Sequence, residues 1–355
     1  MNIASLRLSL AAAMTLGLRK GVFYRDARLY CLNLLLDYGG GCRARCSYCG
    51  LSSDNPASGG DGHFIRVEWP AFEIDRIVSR ARERREELER VCVSMVMHPQ
   101  ALEDTLELTE KLAAGLELPV SVLVNPSTTR DGDIAAMREA GADMVSVAVD
   151  AATEELFDRH RGRGVGGPHR WQRYWRALEE AAIVFGDGRY GCHLIAGLGE
   201  SEREMLETVQ RVRDMGGRSH LFSFYPERGS RMENEPPCPA NRFRRIQLAR
   251  YLIDYDMVRV GRMSFDERGR VSDFGLEASE LDRLVETGKP FMTSGCPGSR
   301  HECACNRPFG DGPPGDIRSF PFPLDEGDLQ TVKKQLATYR ETCDGMGERL
   351  FESKG

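Results

Sequence analysis

Three cysteines within eight residues, Cys42-Arg-Ala-Arg-Cys46-Ser-Tyr48-Cys49, constrain this chain more than any other feature. Thiolates spaced C-x3-C-x2-C on one tight loop hold three irons of a [4Fe–4S] cube and leave the fourth iron open. An open iron chelates a small molecule, whereas a fully ligated cube only relays electrons. Zinc is the other ion that clustered thiolates serve. Zinc sites usually close with four ligands in two C-x2–4-C pairs, and no fourth Cys or His follows soon after Cys49.

The chain has 355 residues, enough for one large domain plus an appendage. Its net charge of −6 argues against a nucleic-acid partner, because phosphate neutralisation needs clustered Lys and Arg. The densest basic stretch, Arg80 to Glu87, mixes signs as a solvated helix face does. Eleven cysteines is a high, odd count, and six of them fall in two short loops. That clustering reads as metal binding in a reducing compartment and not as a disulfide framework. The mostly apolar stretch Leu8 to Leu18 faintly resembles a secretory core, but it ends in Arg19-Lys20 with no sensible cleavage site after it. An amphipathic helix covering one end of the domain is the expectation for residues 1–29. No run approaches the ~18–20 apolar residues of a membrane span. The reading is a soluble, cytoplasmic protein with neither nucleic acid nor membrane as partner.

Short β-branched runs alternate with longer helical patterns, the mark of βα units around a parallel sheet. Strands are expected at 30–36, 91–97, 120–124, 144–149, 192–195 and 221–225. Helices are expected at 72–90, 134–140, 171–184, 203–215 and 243–255, the fourth opened by a Ser201/Glu204 capping box. The fold class is α/β, a partial (β/α)6 barrel over residues 30–264, open on one side. The cysteine loop follows the first strand, where parallel α/β barrels carry their active-site groups. Residues 265–355 form a cysteine-rich C-terminal extension whose loop 293–324 is poor in apolar anchors, so a second metal site would order it. A last amphipathic helix is expected at 329–339.

The cysteine loop, with Tyr48 just before the last cysteine, resembles the signature of the radical S-adenosylmethionine (SAM) superfamily. The resemblance implies that the open iron binds the amino and carboxylate groups of SAM. An electron from a reductant such as ferredoxin or flavodoxin then cleaves SAM to a 5′-deoxyadenosyl radical. Ile195-Ala-Gly197-Leu-Gly199-Glu200 is similar to the superfamily's I-x-G-x-x-E pattern, whose glycines let backbone approach the adenine; it also reads as an ordinary strand-to-helix turn. Asp150 could accept from the ribose hydroxyls or cap the helix starting near Thr153. Arg161 or Arg163 could hold the SAM carboxylate, or either could be surface. The superfamily's G-G-E stretch after the second strand is replaced by Met97-His98-Pro99-Gln100, which leaves backbone carbonyls there for the SAM amino group, with His98 read as structural.

Cys296, Cys303 and Cys305 place three more thiolates within ten positions of the extension. They read as an auxiliary [4Fe–4S] cluster or as a structural zinc knot. A fourth ligand could be Ser319, Cys343, Cys31 or His301, while Cys92, Cys192 and Cys238 read as buried small hydrophobes or free thiols. Ser223-Phe-Tyr225-Pro226-Glu-Arg-Gly229-Ser-Arg-Met232 resembles the biotin- and thiamine-synthesis branch of radical SAM enzymes. Ser-Gly-Cys296-Pro-Gly and Cys305-Asn-Arg-Pro-Phe309 resemble the archaeal-type two-component lipoyl synthases, with an apparent insertion at 299–302. That likeness implies two [4Fe–4S] clusters, SAM, and sulfur insertion into an octanoyl chain from a sacrificed auxiliary cluster. Its partners would be an octanoylated lipoyl-carrier protein and a homologous second lipoyl synthase component. Two alternatives stay open: another reaction of the same branch on a free small molecule, and a non-catalytic iron–sulfur carrier or zinc-stabilised binding module. A barrel-sized domain disfavours the last, because an electron carrier needs no substrate cavity.

Overall fold

The computed structural model describes residues 3–25, 27–56 and 63–341. In chain order its elements are β1 (Ser5–Leu8), α1 (Leu10–Thr15), β2 (Cys31–Leu36), β3 (His63–Phe64), β4 (Val67–Glu68), β5 (Ala71–Glu73), α2 (Ile74–Glu83), β6 (Arg90–Ser94) and α3 (Ala101–Leu116). Next come β7 (Val120–Val124), α4 (Asp133–Glu139), β8 (Ala142–Asp150), α5 (Glu154–His160), α6 (Trp171–Phe185), β9 (Tyr190–Ala196), α7 (Glu202–Asp214) and β10 (Arg218–Ser223). The remainder is α8 (Ala240–Asp254), β11 (Ser264–Phe265), β12 (Val271–Asp273), α9 (Ala278–Glu286) and α10 (Glu326–Glu341).

Six strands run parallel in the order β2-β6-β7-β8-β9-β10, and among the described residues β10 pairs only with β9, so the barrel is partial, as expected. The helix-facing positions are mostly apolar, as Leu32, Leu34 and Leu36 on β2 and Val91 and Val93 on β6 show, while the other face mixes polar and apolar side chains. Register aligns Asn33 with Cys92, Cys92 with Ser121, and His193 with both Ala148 and His220, a row of small or polar side chains across the concave face. The helices pack against the outer face. On α6, Tyr174, Trp175, Leu178 and Ala181 form its buried stripe. The Ser201/Glu204 capping box is present at the start of α7.

Segment 1–29 is not the helical cover expected of it. Leu6 and Leu8 alternate with Arg7, and this period of two pairs β1 antiparallel to β2, extending the sheet, with β5 added beyond it. Only Leu10–Thr15 is helical, capped by Ser9, and its alanines pack in the core. The helix expected at 72–90 stops at Glu83, followed by a single 3-10 turn at Arg85–Glu87. Helix α3 has no counterpart in the sequence reading because Asp104, Thr105 and Thr109 break the apolar period on its buried face. The Asp104 carboxylate is instead satisfied by Tyr38 Oη at 2.9 Å. Among the described residues no helix is long and apolar enough to cross a membrane.

Candidate active site

A cavity of about 300 Å³ occupies the concave face of the sheet and is lined by cysteines of both groups, with Cys303 outside the lining next to Gly295. Cys42, Cys46 and Cys49 line it beyond the carboxyl end of β2. Cys296 and Cys305 line it from the tail and gather against Cys31, the amino-terminal residue of the same strand. The six residues of β2 span roughly 17 Å.

The first group is held by backbone. Cys42 Sγ accepts from the N–H groups of Met97 at 3.3 Å and Ala44 at 3.5 Å. The Met97 carbonyl accepts from Arg43 N–H at 2.9 Å, so this carbonyl is already engaged. Tyr48 Oη donates to Asp150 at 2.6 Å, and Arg161 pairs with the same carboxylate oxygen at 2.6 Å. Arg161 also donates to the carbonyls of Ala148 and Val149 and to Tyr174 Oη, while its Nε is buried without a partner. Burial pushes the Cys46 thiol up to about 12, opposed by the Arg161 charge. Burial likewise raises Cys42 and Cys49, so a bound cation is what would make these groups thiolates. Amide donors on Cys42 Sγ, a guanidinium beside the cysteines and its orphaned Nε all favour an anionic group here. The three cysteines thus fit a thiolate-ligated cluster.

Among the described residues no three His, Cys, Asp or Glu side chains converge tightly enough to hold a single metal ion. A cube takes one thiolate per iron, so its cysteines stand apart around it.

The residues expected to contact SAM fall into two sets. Tyr48, Asp150 and Arg161 line the cavity together. Asp150 does not cap α5, since Thr153 Oγ1 accepts from Leu156 N–H at that helix's start. Arg161 is committed to Asp150, and Arg163 is exposed. Gly197 and Glu200 are not among the lining residues. Glu200 accepts from Gly197 N–H at 2.8 Å and Leu198 N–H at 2.9 Å and pairs with Arg242, so it builds the turn after β9. Gly197 has φ +109°, and a Cβ there would lie 2.8 Å from Cys238 Cβ, so packing alone requires glycine. His98 stacks on Tyr38 with ring centroids 3.7 Å apart, the structural role expected of it.

The tail loop is pinned to the start of β6. Glu89 accepts from the N–H groups of Arg300 and His301 and from His301 Nδ1 at 2.5 Å. Arg90 pairs with Asp143 and donates to the Pro297 carbonyl at 2.8 Å. Segment 299–302 is therefore what anchors the loop. Both glycines of Ser-Gly-Cys-Pro-Gly are sterically required: a Cβ on Gly295 would lie 2.7 Å from the Cys305 carbonyl oxygen and 3.0 Å from Cys303 Sγ, and one on Gly298 would lie 2.0 Å from Glu89 Oε2. Arg307 is buried next to Cys305 and bonded to Asp311.

The tail cysteines meet two more. Asn33 Nδ2 donates to Cys305 Sγ at 3.4 Å and lies 3.9 Å from Cys31 Sγ. Cys92, expected as a buried small hydrophobe or a free thiol, lies on the cavity wall that Cys296 and Cys305 also line. The parallel register that sets β6 beside β2 brings it there. Cys192 and Cys238 are buried in the core as expected. His301 is engaged by Glu89 and stacked on Tyr30, and Ser319 does not line the cavity. Cys343 lies outside the described residues.

No curated protein matches this chain. Among solved structures, it is similar to methylornithine synthase (PylB), with 16% identity and a TM-score of 0.44 over 63% of this chain and 60% of that one. It is similar to HydG, a maturase of the [FeFe]-hydrogenase, at 12% identity and a TM-score of 0.42 over 59% and 46% of the two chains. TsrM from Kitasatospora setae, a radical SAM methyltransferase solved with tryptophan and a SAM analogue, aligns at 14% identity and a TM-score of 0.40 over 88% and 62%. The chain spans less than two thirds of the length of each. Residues 36–212, which contain the Cys42–Cys49 loop and four of the five parallel strands beyond β2, match the family model of the radical SAM superfamily.

Proposed function

We propose that this chain is a lipoyl synthase-like enzyme that inserts sulfur into a protein-bound octanoyl chain. One observation carries the reading: a single cavity is lined by Cys42, Cys46 and Cys49 and by Cys296 and Cys305 of the tail. When bound, a [4Fe–4S] cluster at Cys42, Cys46 and Cys49 with SAM supplies a 5′-deoxyadenosyl radical, and an auxiliary [4Fe–4S] cluster at Cys296, Cys303 and Cys305 supplies sulfide. The chain's own residues position an alkyl group between them. Leu35, Val122, Ile195, Phe222 and Phe224 give that cavity an apolar wall, which suits a saturated chain and excludes water from a reactive carbon. Asp150, locked by Tyr48 and Arg161, holds the wall beside the first cysteine group.

The partners of this reading are an octanoylated lipoyl-carrier protein, a reductant such as ferredoxin or flavodoxin, and a homologous second lipoyl synthase component, all in the cytoplasm. Carrier contacts would fix the chain near the radical with binding energy remote from the reacting carbon. One sacrificial cluster supplies limited sulfide, so the product of this chain alone is a monothiolated octanoyl group.

Mass spectrometry of an octanoylated carrier peptide incubated with protein, SAM and dithionite tests this. A gain of one sulfur is expected. Cys42/Cys46/Cys49→Ala should abolish 5′-deoxyadenosine formation, while Cys296/Cys303/Cys305→Ala should keep it and lose sulfuration. Two sulfurs would reject the division of labour, and sulfuration of dethiobiotin with no change in the peptide would reject the octanoyl substrate.

A further inference from the structure

We infer that Cys31, on the first barrel strand, is the fourth thiolate of the auxiliary cluster, completing the set Cys31, Cys296, Cys303 and Cys305. The inference rests on the auxiliary-cluster reading of the tail and adds a ligand from a part of the chain remote from it.

Alternation along β2 puts Cys31 on the same face as Asn33 and Leu35, both of which line the cavity. Cys31 is fully buried, and the Asn33 side chain beside it ties it to Cys305. The Asn33 amide reaches both sulfurs, at 3.9 Å and 3.4 Å. Gly295 lets Cys303 and Cys305 close in from the other side, and Ser146 Oγ lies 4.0 Å from Cys296 Sγ. The guanidiniums of Arg90 and Arg307 flank the group and place positive charge beside it, as an anionic cluster needs.

Two other donors among the described residues are placed differently. His301 is held by Glu89 and by stacking on Tyr30. Cys92 lies across the register from Asn33 on the neighbouring strand and faces the cavity, where it remains a free thiol.

Four thiolates leave no vacant iron. The two clusters therefore differ in kind: the one at Cys42, Cys46 and Cys49 is open to SAM, and the one at the tail is closed to it. Ligation by Cys31 also ties the extension to the barrel through the metal, so tail docking and cluster assembly become one event.

The test uses the full chain carrying Cys42/Cys46/Cys49→Ala, reconstituted anaerobically, which should hold about four irons, all in the auxiliary cube. Adding Cys31→Ala should lower this to about three, with the EPR signal of an oxidised [3Fe–4S] cluster after mild ferricyanide treatment. The background protein and its Cys92→Ala variant should keep the cube. Unchanged iron and no signal in Cys31→Ala would overturn the inference, as would the same conversion in Cys92→Ala alone. If Cys31→Ala loses the whole cluster, Cys31→Ser decides: a retained cube with an altered reduced-state EPR spectrum supports ligation, and an unaltered spectrum rejects it. Retention of iron when Cys296, Cys303 and Cys305 are all replaced would sink the auxiliary-cluster reading itself, a distinct result.

Discussion

Asp150 and Arg161 form a buried ion pair at 2.6 Å in the cavity wall, with Asp150 in the left-handed region at φ +66°. Asp and Asn are the side chains that tolerate this backbone best apart from glycine. The pair is eleven residues apart and closes the segment between the end of β8 and the end of α5 over the first cysteine group.

Asp150→Asn keeps the backbone preference and removes the charge, leaving Arg161 buried and uncompensated. Breaking a buried pair by removing one partner costs about 3 kcal/mol or more. Urea denaturation of the apoprotein should show that loss. A midpoint equal to wild type would mean that Tyr174 and the strand carbonyls satisfy Arg161 without Asp150.

Gly298→Ala tests the seat of the tail loop. The new Cβ would meet Glu89 Oε2, an oxygen already fixed by the Arg300 and His301 amides, and Ala304 Cβ at 2.9 Å. Overpacking of this kind costs about 1–3 kcal/mol. The reconstituted variant should fall from about eight irons per chain toward about four. Full iron content with unchanged thermal stability would show that the loop does not depend on this contact.

Asp254 gives the protein a pH dependence away from the cysteines. Burial pushes its carboxyl up to about 6, against the pull of Arg250 at 3.2 Å. The folded chain therefore keeps a proton that the unfolded chain releases near pH 4, and the associated stability is lost as pH rises from about 4 to about 6. Asp254→Asn removes this loss. Its stability relative to wild type should improve by about 2 kcal/mol between pH 4 and pH 7. Parallel stability curves over that interval would refute the assignment.

The Cys42–Cys49 loop was legible because everything that marks it is local: three cysteines and a tyrosine within eight residues, placed after a recognisable strand. The six parallel strands were legible for a similar reason, since a strand buried on both faces carries its signal within five or six residues. Helix α3 escaped because its buried face is partly polar and depends on Tyr38, more than sixty residues away, for satisfaction. Glu200 looked like a cofactor residue from its spacing, but which way a carboxylate turns depends on the nearest unpaired amides, here those of Gly197 and Leu198.

The sequence by itself determined the cluster loop, the βα alternation and the presence of a second cysteine group, all properties of short segments. Tertiary structure alone decided that Cys31 lies beside Cys305 across the Asn33 side chain and that Cys42, Cys46, Cys49, Cys92, Cys296 and Cys305 line one cavity. Cys31 and Cys305 are 274 positions apart in the chain, and their meeting follows from sheet register and from the Glu89 and Arg90 contacts that seat the tail. Neither residue's immediate sequence encodes its partner. Contacts of that range arise only from the packing that the whole chain achieves at once.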